Sequence, residues 1–202
     1  WLDFPETGGG LLTSGGSAAN LGALLAAREW AGNPVNPVIY MSDQGHSSLD
    51  RAARIIGIPP ENLRKIPSDE SFRLDIDCLK KVLENDRAAG MDPLCICGNG
   101  GATNTGAIDP LEAMAAVAAQ EQVWFHIDAA YGGFAVLAPR EKEAFRGMEA
   151  ADSVTLDPHK WFFQPYETGC LLLRDRRLLW ECFHIMPEYL KDATPEEGEV
   201  NF

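Results

Sequence analysis

Lys160 is the first residue of this sequence whose type and position indicate chemistry. It follows an apolar run that contains Val154 and Thr155. β-Branched residues in a short apolar run predict a buried strand, and Pro158 ends that strand because proline cannot continue a hydrogen-bonded ladder. The aromatic residues 161–163 come directly after the lysine, and we expect them to desolvate its amine. Desolvation favours the neutral amine, which is the nucleophile that forms a Schiff base; the alternative is a surface lysine lying over aromatic rings.

A second predicted strand ends in an acid. Asp128 closes the apolar run that begins at Trp124, and two alanines and the pair Gly132–Gly133 follow it closely. An acid at a strand end is commonly a cap or turn residue, but the small residues leave room for a flat group against the backbone. A lysine that forms an imine, together with a carboxylate for a pyridine nitrogen, is the pair that pyridoxal phosphate requires. The two segments together therefore predict pyridoxal phosphate chemistry.

A glycine- and hydroxyl-rich loop near the start of the sequence is a candidate phosphate site. Ser14, Gly15, Gly16 and Ser17 precede the segment Leu21–Trp30, whose leucines and alanines predict a helix. The N–H groups at a helix N-terminus bind anions, and glycine permits close approach. A plain turn with a serine as the helix cap is the alternative. The loop matches neither the P-loop nor the dinucleotide fingerprint.

The remaining elements predict an α/β fold. Further strands are predicted at Pro37–Met41, Leu63–Ile66, Pro93–Cys97, Val123–Ile127 and, as an antiparallel return, Thr168–Arg174; helices are predicted at 50–56, 76–89 and 111–122. Strands alternate with helices, and polar loops follow the strands, so we expect a site at the carboxyl edge of the sheet. His46 and Thr103 lie in two of these loops. His46 is either a ring-stacking or substrate-binding residue or a helix cap, and Thr103 either contacts a ligand or stabilises a turn.

Composition limits the class of protein. The sequence has 202 residues, of which 46% are hydrophobic and 23% charged, as in an ordinary globular domain. The net charge of −13 disfavours a nucleic acid or an anionic membrane surface as partner. No apolar run reaches the length of a membrane span. The five cysteines lie scattered in apolar runs, and Cys95 and Cys97 lack the second pair that a zinc site requires. We therefore expect reduced cysteines, a cytoplasmic location and no metal site.

Six motifs in combination resemble the group II pyridoxal-phosphate-dependent amino acid decarboxylases, the family of the aromatic-amino-acid, glutamate, histidine and diaminobutyrate decarboxylases. They occur in the family's order and extend over nearly the whole chain. The motifs are Thr13–Asn20, Ser42–Ser48, Ala102–Asp109, His126–Tyr131, Asp157–Trp161 and Pro187–Lys191. The resemblance implies the large domain of fold-type-I enzymes, a three-layer α/β sandwich with a mostly parallel sheet.

The resemblance also implies a role for each candidate residue. Lys160 matches the lysine that holds the cofactor covalently, and Asp128 matches the acid that pairs with the pyridine nitrogen. Ala130 matches the small residue against the ring, and His46 the histidine stacked on it. Tyr189 matches the general acid that protonates the carbanion carbon after carbon dioxide leaves. The residues implied around the phosphate are Ser14, Gly15, Gly16, Ser17, Asp157 and His159, with Thr103 near the ring substituents.

Two departures from the family accompany the resemblance. Ala102 stands where the family form Gly-Thr-Thr has a hydroxyl residue. Family members are also far longer, so we expect residues 1–202 to be an incomplete large domain without the N-terminal arm and the C-terminal small domain. The implied parent protein is a homodimer whose small-molecule substrate is an amino acid. Three interpretations stay open: an amino acid decarboxylase, another fold-type-I enzyme such as an aminotransferase or desulfurase, and an inactive truncated remnant.

Overall fold

A seven-stranded mixed sheet forms the centre of residues 2–183, the part of the chain that the computed structural model describes. The strands are β1 (Gly9–Thr13), β2 (Pro37–Ser42), β3 (Leu63–Ile66), β4 (Asp92–Asn99), β5 (Trp124–Asp128), β6 (Ser153–Leu156) and β7 (Gly169–Leu173). Their spatial order is β1-β7-β6-β5-β4-β2-β3. The strands from β6 to β3 pair in parallel, whereas β7 is antiparallel to both of its neighbours. The predicted antiparallel return after Lys160 is thus confirmed.

Helices cover both faces of the sheet. They are α1 (Gly16–Trp30), α2 (Ser47–Ile55), α3 (Ile76–Ala88), α4 (Leu111–Glu121) and α5 (Arg177–Phe183). Side chains alternate across a strand, so Ile39 and Met41 of β2 pack with α1 and α2 while Tyr40 packs with α3 and α4. Each face therefore has its own apolar core, and the predicted three-layer α/β sandwich is confirmed.

The parallel strands are nearly continuous apolar runs because they are covered on both faces. Every residue of β2, β5 and β6 is buried. Covered parallel strands lack the apolar–polar alternation of a half-exposed strand, and this explains why short apolar runs were a sufficient signal for them. None of the helices within residues 2–183 is long and apolar enough to cross a membrane.

The N-terminal glycine-rich segment differs from its prediction. Residues 9–13 form β1, an edge strand that pairs with β7, where no strand was predicted. Its glycines are required by packing, since a side chain at Gly10 would lie 2.5 Å from the carbonyl oxygen of Leu171. The partner strand is about 160 residues away in sequence, so local propensity carries no signal for this pairing.

Helix starts were also placed too late. Helix α1 begins at Gly16 rather than Leu21, and the proposed serine cap is wrong, because Gly15 occupies the cap position at φ 136° and no side chain caps the helix. Helix α2 begins at Ser47 rather than Asp50. Residues Lys142–Phe145 form a short 3₁₀ helix.

Candidate active site

One cavity of about 410 Å³ lies at the carboxyl edge of the parallel strands, beside the N-terminus of α1. Its walls are formed by Ser14, Gly15, Gly16, Ser17, Ala18, Asn20, His46, Ser48, Thr103, Asp128, Ala130, Asp157, His159, Lys160, Tyr166 and Glu167. All the candidate site residues from the sequence line it except Tyr189, which lies outside the described residues. Residues from five separate motifs thus meet around one space.

The Lys160 amine lies beside a carboxylate. Its Nζ is 2.8 Å from Oδ2 of Asp157, and the lysine side chain is 33% exposed. Asp157 itself is 2% exposed, and its Oδ1 has no hydrogen-bond partner among the described residues. A buried polar atom without a partner is unfavourable, so this oxygen is an unused acceptor on a residue of the cavity wall.

The aromatic residues after Lys160 differ in their surroundings. Trp161 contacts Tyr131 edge to face, with ring centroids 5.5 Å apart, and Phe162 stacks on Phe134 at 4.7 Å. Phe163 is 90% exposed. The close polar neighbour of the amine is the Asp157 carboxylate, which the sequence did not single out as its partner, and desolvation of the amine by the aromatic residues stays a prediction.

Asp128 is held from two sides with its carboxylate on the cavity wall. The residue ends β5 and is buried. Its Oδ1 accepts a hydrogen bond from the backbone N–H of Ala130 at 3.2 Å, and its Oδ2 accepts one from Nδ2 of Asn20 at 2.8 Å. A carboxylate oxygen accepts about two hydrogen bonds, so each oxygen retains capacity for a ligand.

The start of α1 has the features of an anion cradle. The helix has no side-chain cap, which leaves first-turn N–H groups available for an anion, and Ser14 and Ser17 line the same end of the cavity. A side chain at Gly16 would lie 2.9 Å from both Asp157 Oδ2 and the Ala130 methyl group, so glycine keeps this space open. An anion cradle, an amine and a carboxylate around one cavity fit the parts of pyridoxal phosphate.

The two histidines of the cavity are each fixed by a hydrogen bond at Nδ1. His46 caps α2, since its Nδ1 accepts from the backbone N–H of Ser48 at 3.2 Å, and it also lines the cavity. The helix-cap alternative for this residue is therefore confirmed, and the ring-stacking or substrate-binding role stays a prediction. His159 Nδ1 accepts from the N–H of Thr168 at 2.9 Å, and its Nε2 lies 3.7 Å from Asp157 Oδ2.

Thr103 lies on an exposed loop at the cavity wall. The loop is anchored by Asp109, whose carboxylate accepts hydrogen bonds from the backbone N–H groups of Asn99 and Leu74 at 2.7 and 2.8 Å. Ala102 is buried, so the departure from the family's hydroxyl residue places a methyl group in a packed position next to Thr103.

Five cavity residues were given no role by the sequence: Ala18, Asn20, Ser48, Tyr166 and Glu167. Asn20 carried a usable signal, because it lies four residues after Gly16 and four before Leu24 on a helix face that is otherwise small or apolar. A polar residue on a buried face requires a polar partner. The sequence could not name that partner, which comes from other motifs.

A mostly parallel α/β sheet with a lysine, a carboxylate and a helix N-terminus around one cavity defines the class: a protein whose site fits an anionic ring cofactor with a reactive carbonyl. The family described as the pyridoxal-dependent decarboxylase conserved domain matches residues 2–200. The chain belongs to this family, whose cofactor is pyridoxal phosphate.

Named relatives and a solved structure agree with this assignment. The chain is 45% identical over 204 residues to the aromatic-L-amino-acid decarboxylase of Bacillus atrophaeus, with 100% of this chain and 42% of that protein aligned. It is 42% identical to tryptophan decarboxylase TDC1 of Camptotheca acuminata, over 98% of this chain and 41% of the relative. The crystal structure of Oryza sativa TDC with PLP and tryptamine superposes with a TM-score of 0.90 at 34% identity, over 99% and 44% of the two chains. The chain thus spans about two fifths of the length of these relatives.

Proposed function

We propose that the complete protein decarboxylates an aromatic L-amino acid to the corresponding amine and carbon dioxide, with pyridoxal phosphate as cofactor. The observation that carries this proposal is that Lys160, Asp128 and the uncapped start of α1 share one cavity. The family match supports the decarboxylation, and the similarity to an aromatic-L-amino-acid decarboxylase and a tryptophan decarboxylase supports the aromatic substrate.

The roles follow from the position of each group. When bound, pyridoxal phosphate supplies a ring that withdraws electrons from the carbon that loses carbon dioxide. Lys160 attaches the cofactor through Nζ, and Asp128 holds a proton at the ring nitrogen by opposite charge. His46 covers the ring face, and Tyr189 delivers a proton to the substrate carbon. Residues 14–17 and His159 would hold the phosphate, and Asp157, Thr103 and Ala130 would lie beside it.

The test is an amino acid panel assayed with the complete protein for amine and carbon dioxide. We expect aromatic amino acids to be turned over, and Lys160→Ala to abolish both turnover and the near-visible absorbance of the bound cofactor. Lys81→Ala, at an exposed position on α3, is the matched control and keeps both. Keto acid as the product would indicate an aminotransferase instead, and no turnover of any amino acid would indicate the inactive remnant.

The role proposed for Tyr189 predicts a change of product. Related aldehyde synthases carry phenylalanine at the matching position, and without the phenol the substrate carbon loses its proton donor. Tyr189→Phe in the complete protein is therefore expected to leave this carbon open to oxidation by dissolved dioxygen, so that aldehyde and ammonia, with hydrogen peroxide as the reduced product, replace much of the amine. Unchanged amine output, quantified by chromatography, would contradict the assignment.

We also propose that residues 1–202 are the cofactor-binding large domain of a longer homodimeric polypeptide in a reducing, cytoplasmic compartment. Large exposed apolar side chains, Leu12, Phe163 and Tyr166, support a protein contact, and the five free cysteines support the compartment. The test is the native mass of the natural protein, which we expect to be twice that of its polypeptide, together with its fractionation in the cell. A monomer would contradict the dimer.

A further inference from the structure

A series of buried hydrogen bonds runs behind the cavity wall, and Asn20 lies at its centre. The side chain is 1% exposed. Its Nδ2 donates to Oδ2 of Asp128 at 2.8 Å and to Oγ of Ser48 at 2.9 Å, and its Oδ1 lies 3.1 Å from Nε2 of His126. Both amide hydrogens and the amide oxygen therefore have partners, so the orientation of Asn20 is fully determined.

Chemistry fixes the direction of each hydrogen bond on the His126 side. A carboxylate only accepts, so the nitrogen of Asn20 faces Asp128 and its oxygen faces His126. His126 must then carry its proton on Nε2 and accept at Nδ1, which lies 2.8 Å from Oγ of Ser153. That hydroxyl accepts at 2.8 Å from the indole N–H of Trp124, which can only donate. Burial lowers the pKa of His126 to about 4, against the opposing charge of Asp128, so the ring is neutral at neutral pH.

The other branch of the network reaches His46. Ser48 Oγ accepts from Asn20, which leaves its hydroxyl proton for His46 Nδ1 at 2.7 Å. The backbone N–H of Ser48 donates to the same nitrogen. Nδ1 of His46 is therefore an acceptor, and its neutral ring carries the proton on Nε2. One buried amide thus links the carboxylate of the cavity to its imidazole.

We propose that Asn20 is a positioning residue of the cofactor site, which orients Asp128 toward the ring nitrogen and, through Ser48, sets the tautomer of His46. This inference rests on the proposed function, because Asp128 has a ring nitrogen to contact only when pyridoxal phosphate binds. A purely structural Asn20 would instead satisfy polar groups in the core. Its loss would then lower stability without changing which ligand the cavity prefers.

Two ligands separate these roles in the complete apoprotein: pyridoxal phosphate, and its analogue with CH in place of the ring nitrogen. Asp128 has a partner only in the first, so the ratio of the two dissociation constants reports the contact of Asp128 with the ring. In Asn20→Leu we expect the dissociation constant of pyridoxal phosphate to rise about tenfold or more, the effect of a lost charge-assisted hydrogen bond. That of the analogue should change by less than about threefold. Asn20→Ser, too short to reach Asp128, is used if the leucine variant does not fold.

The matched control lies within the same network. Ser48→Ala removes the hydrogen bonds that lead to His46 and leaves the hydrogen bond between Asn20 and Asp128. We therefore expect it to raise the dissociation constants of both ligands by the same factor and to keep their ratio. Asn85 is exposed on α3, so Asn85→Leu should change neither dissociation constant. If the Asn20 variants bind both ligands more weakly by the same factor, or bind both as tightly as wild type does, the inference is overturned. Failure of the wild-type protein to bind pyridoxal phosphate would overturn the proposed function, and this inference with it.

Discussion

At the scale of single residues, the chemistry of the cavity depends on carboxylates in different surroundings. Asp128 accepts hydrogen bonds at both oxygens, whereas Asp157 has one oxygen paired with Lys160 and the other without a hydrogen-bond partner among residues 2–183. Asp128 is therefore already oriented, while Asp157 retains one oxygen that can still accept a hydrogen bond. We expect the first to orient the ring and the second to complete the lysine and phosphate surroundings.

His126 predicts a specific pH dependence of stability. Its folded-state pKa of about 4 lies below the ordinary value of 6.5, so the unfolded chain binds the extra proton between these values. The contribution of its neutral ring is complete above about pH 6.5 and is lost as the pH falls toward about 4. The stability advantage of wild type over His126→Asn should therefore shrink by on the order of 2 kcal/mol between pH 7.5 and pH 5.

Urea unfolding of the two proteins at both pH values measures this difference. Comparing the variant with wild type removes the titration of the other carboxyl groups, which both proteins share. An advantage that is the same at pH 7.5 and pH 5 would show that His126 is not held neutral by its surroundings.

At the scale of elements, the sequence predicted the strand-to-loop junctions that carry the site, but it predicted neither the edge strand β1 nor the start of α1. Strands β2 and β5 were recognised because covered strands are apolar throughout, and Asp128 was found by its place at a strand end. Strand β1 was missed because only its pairing with β7 makes it a strand. The early start of α1 was missed because glycine and serine are weak helix formers, and the position of Gly16 is set by tertiary packing.

The close packing at the N-terminus of α1 lets us predict the effect of adding one methyl group at Gly16. In Gly16→Ala the new Cβ would lie 2.9 Å from Asp157 Oδ2 and from the Ala130 methyl group, inside the space proposed for the phosphate. We expect pyridoxal phosphate affinity to fall by about tenfold or more, the equivalent of about 1.4 kcal/mol, in a cofactor titration of the apoprotein. Unaltered affinity would place the phosphate elsewhere.

The loop that carries Thr103 depends on Asp109. Replacing this buried carboxylate by asparagine sets an amide N–H against a backbone donor, and we expect a loss of about 1–3 kcal/mol in the free energy of unfolding. Asp69 is the matched control, since it also accepts two backbone N–H bonds but is exposed. Denaturant unfolding should show a clearly smaller loss for Asp69→Asn. Equal losses would mean that burial is not what makes Asp109 important.

At the scale of the whole molecule, the sequence predicted the class of fold and which motifs meet, because the carboxyl ends of parallel strands share one edge of a sheet. It could not predict the contacts between motifs. The contact of the Lys160 amine with Asp157 was not foreseen, and the link from Asn20 to Asp128 joins positions 108 residues apart. Such contacts depend on tertiary packing, which local patterns do not encode.

The central claim is that Lys160 carries pyridoxal phosphate in this cavity, and borohydride reduction of the complete holoprotein tests it most directly. Reduction makes the bond between cofactor and lysine permanent, and peptide mass analysis then locates it. We expect a pyridoxyl phosphate group on the peptide that contains Lys160. A modified lysine elsewhere, or no modified lysine in a protein that retains the cofactor, would contradict it.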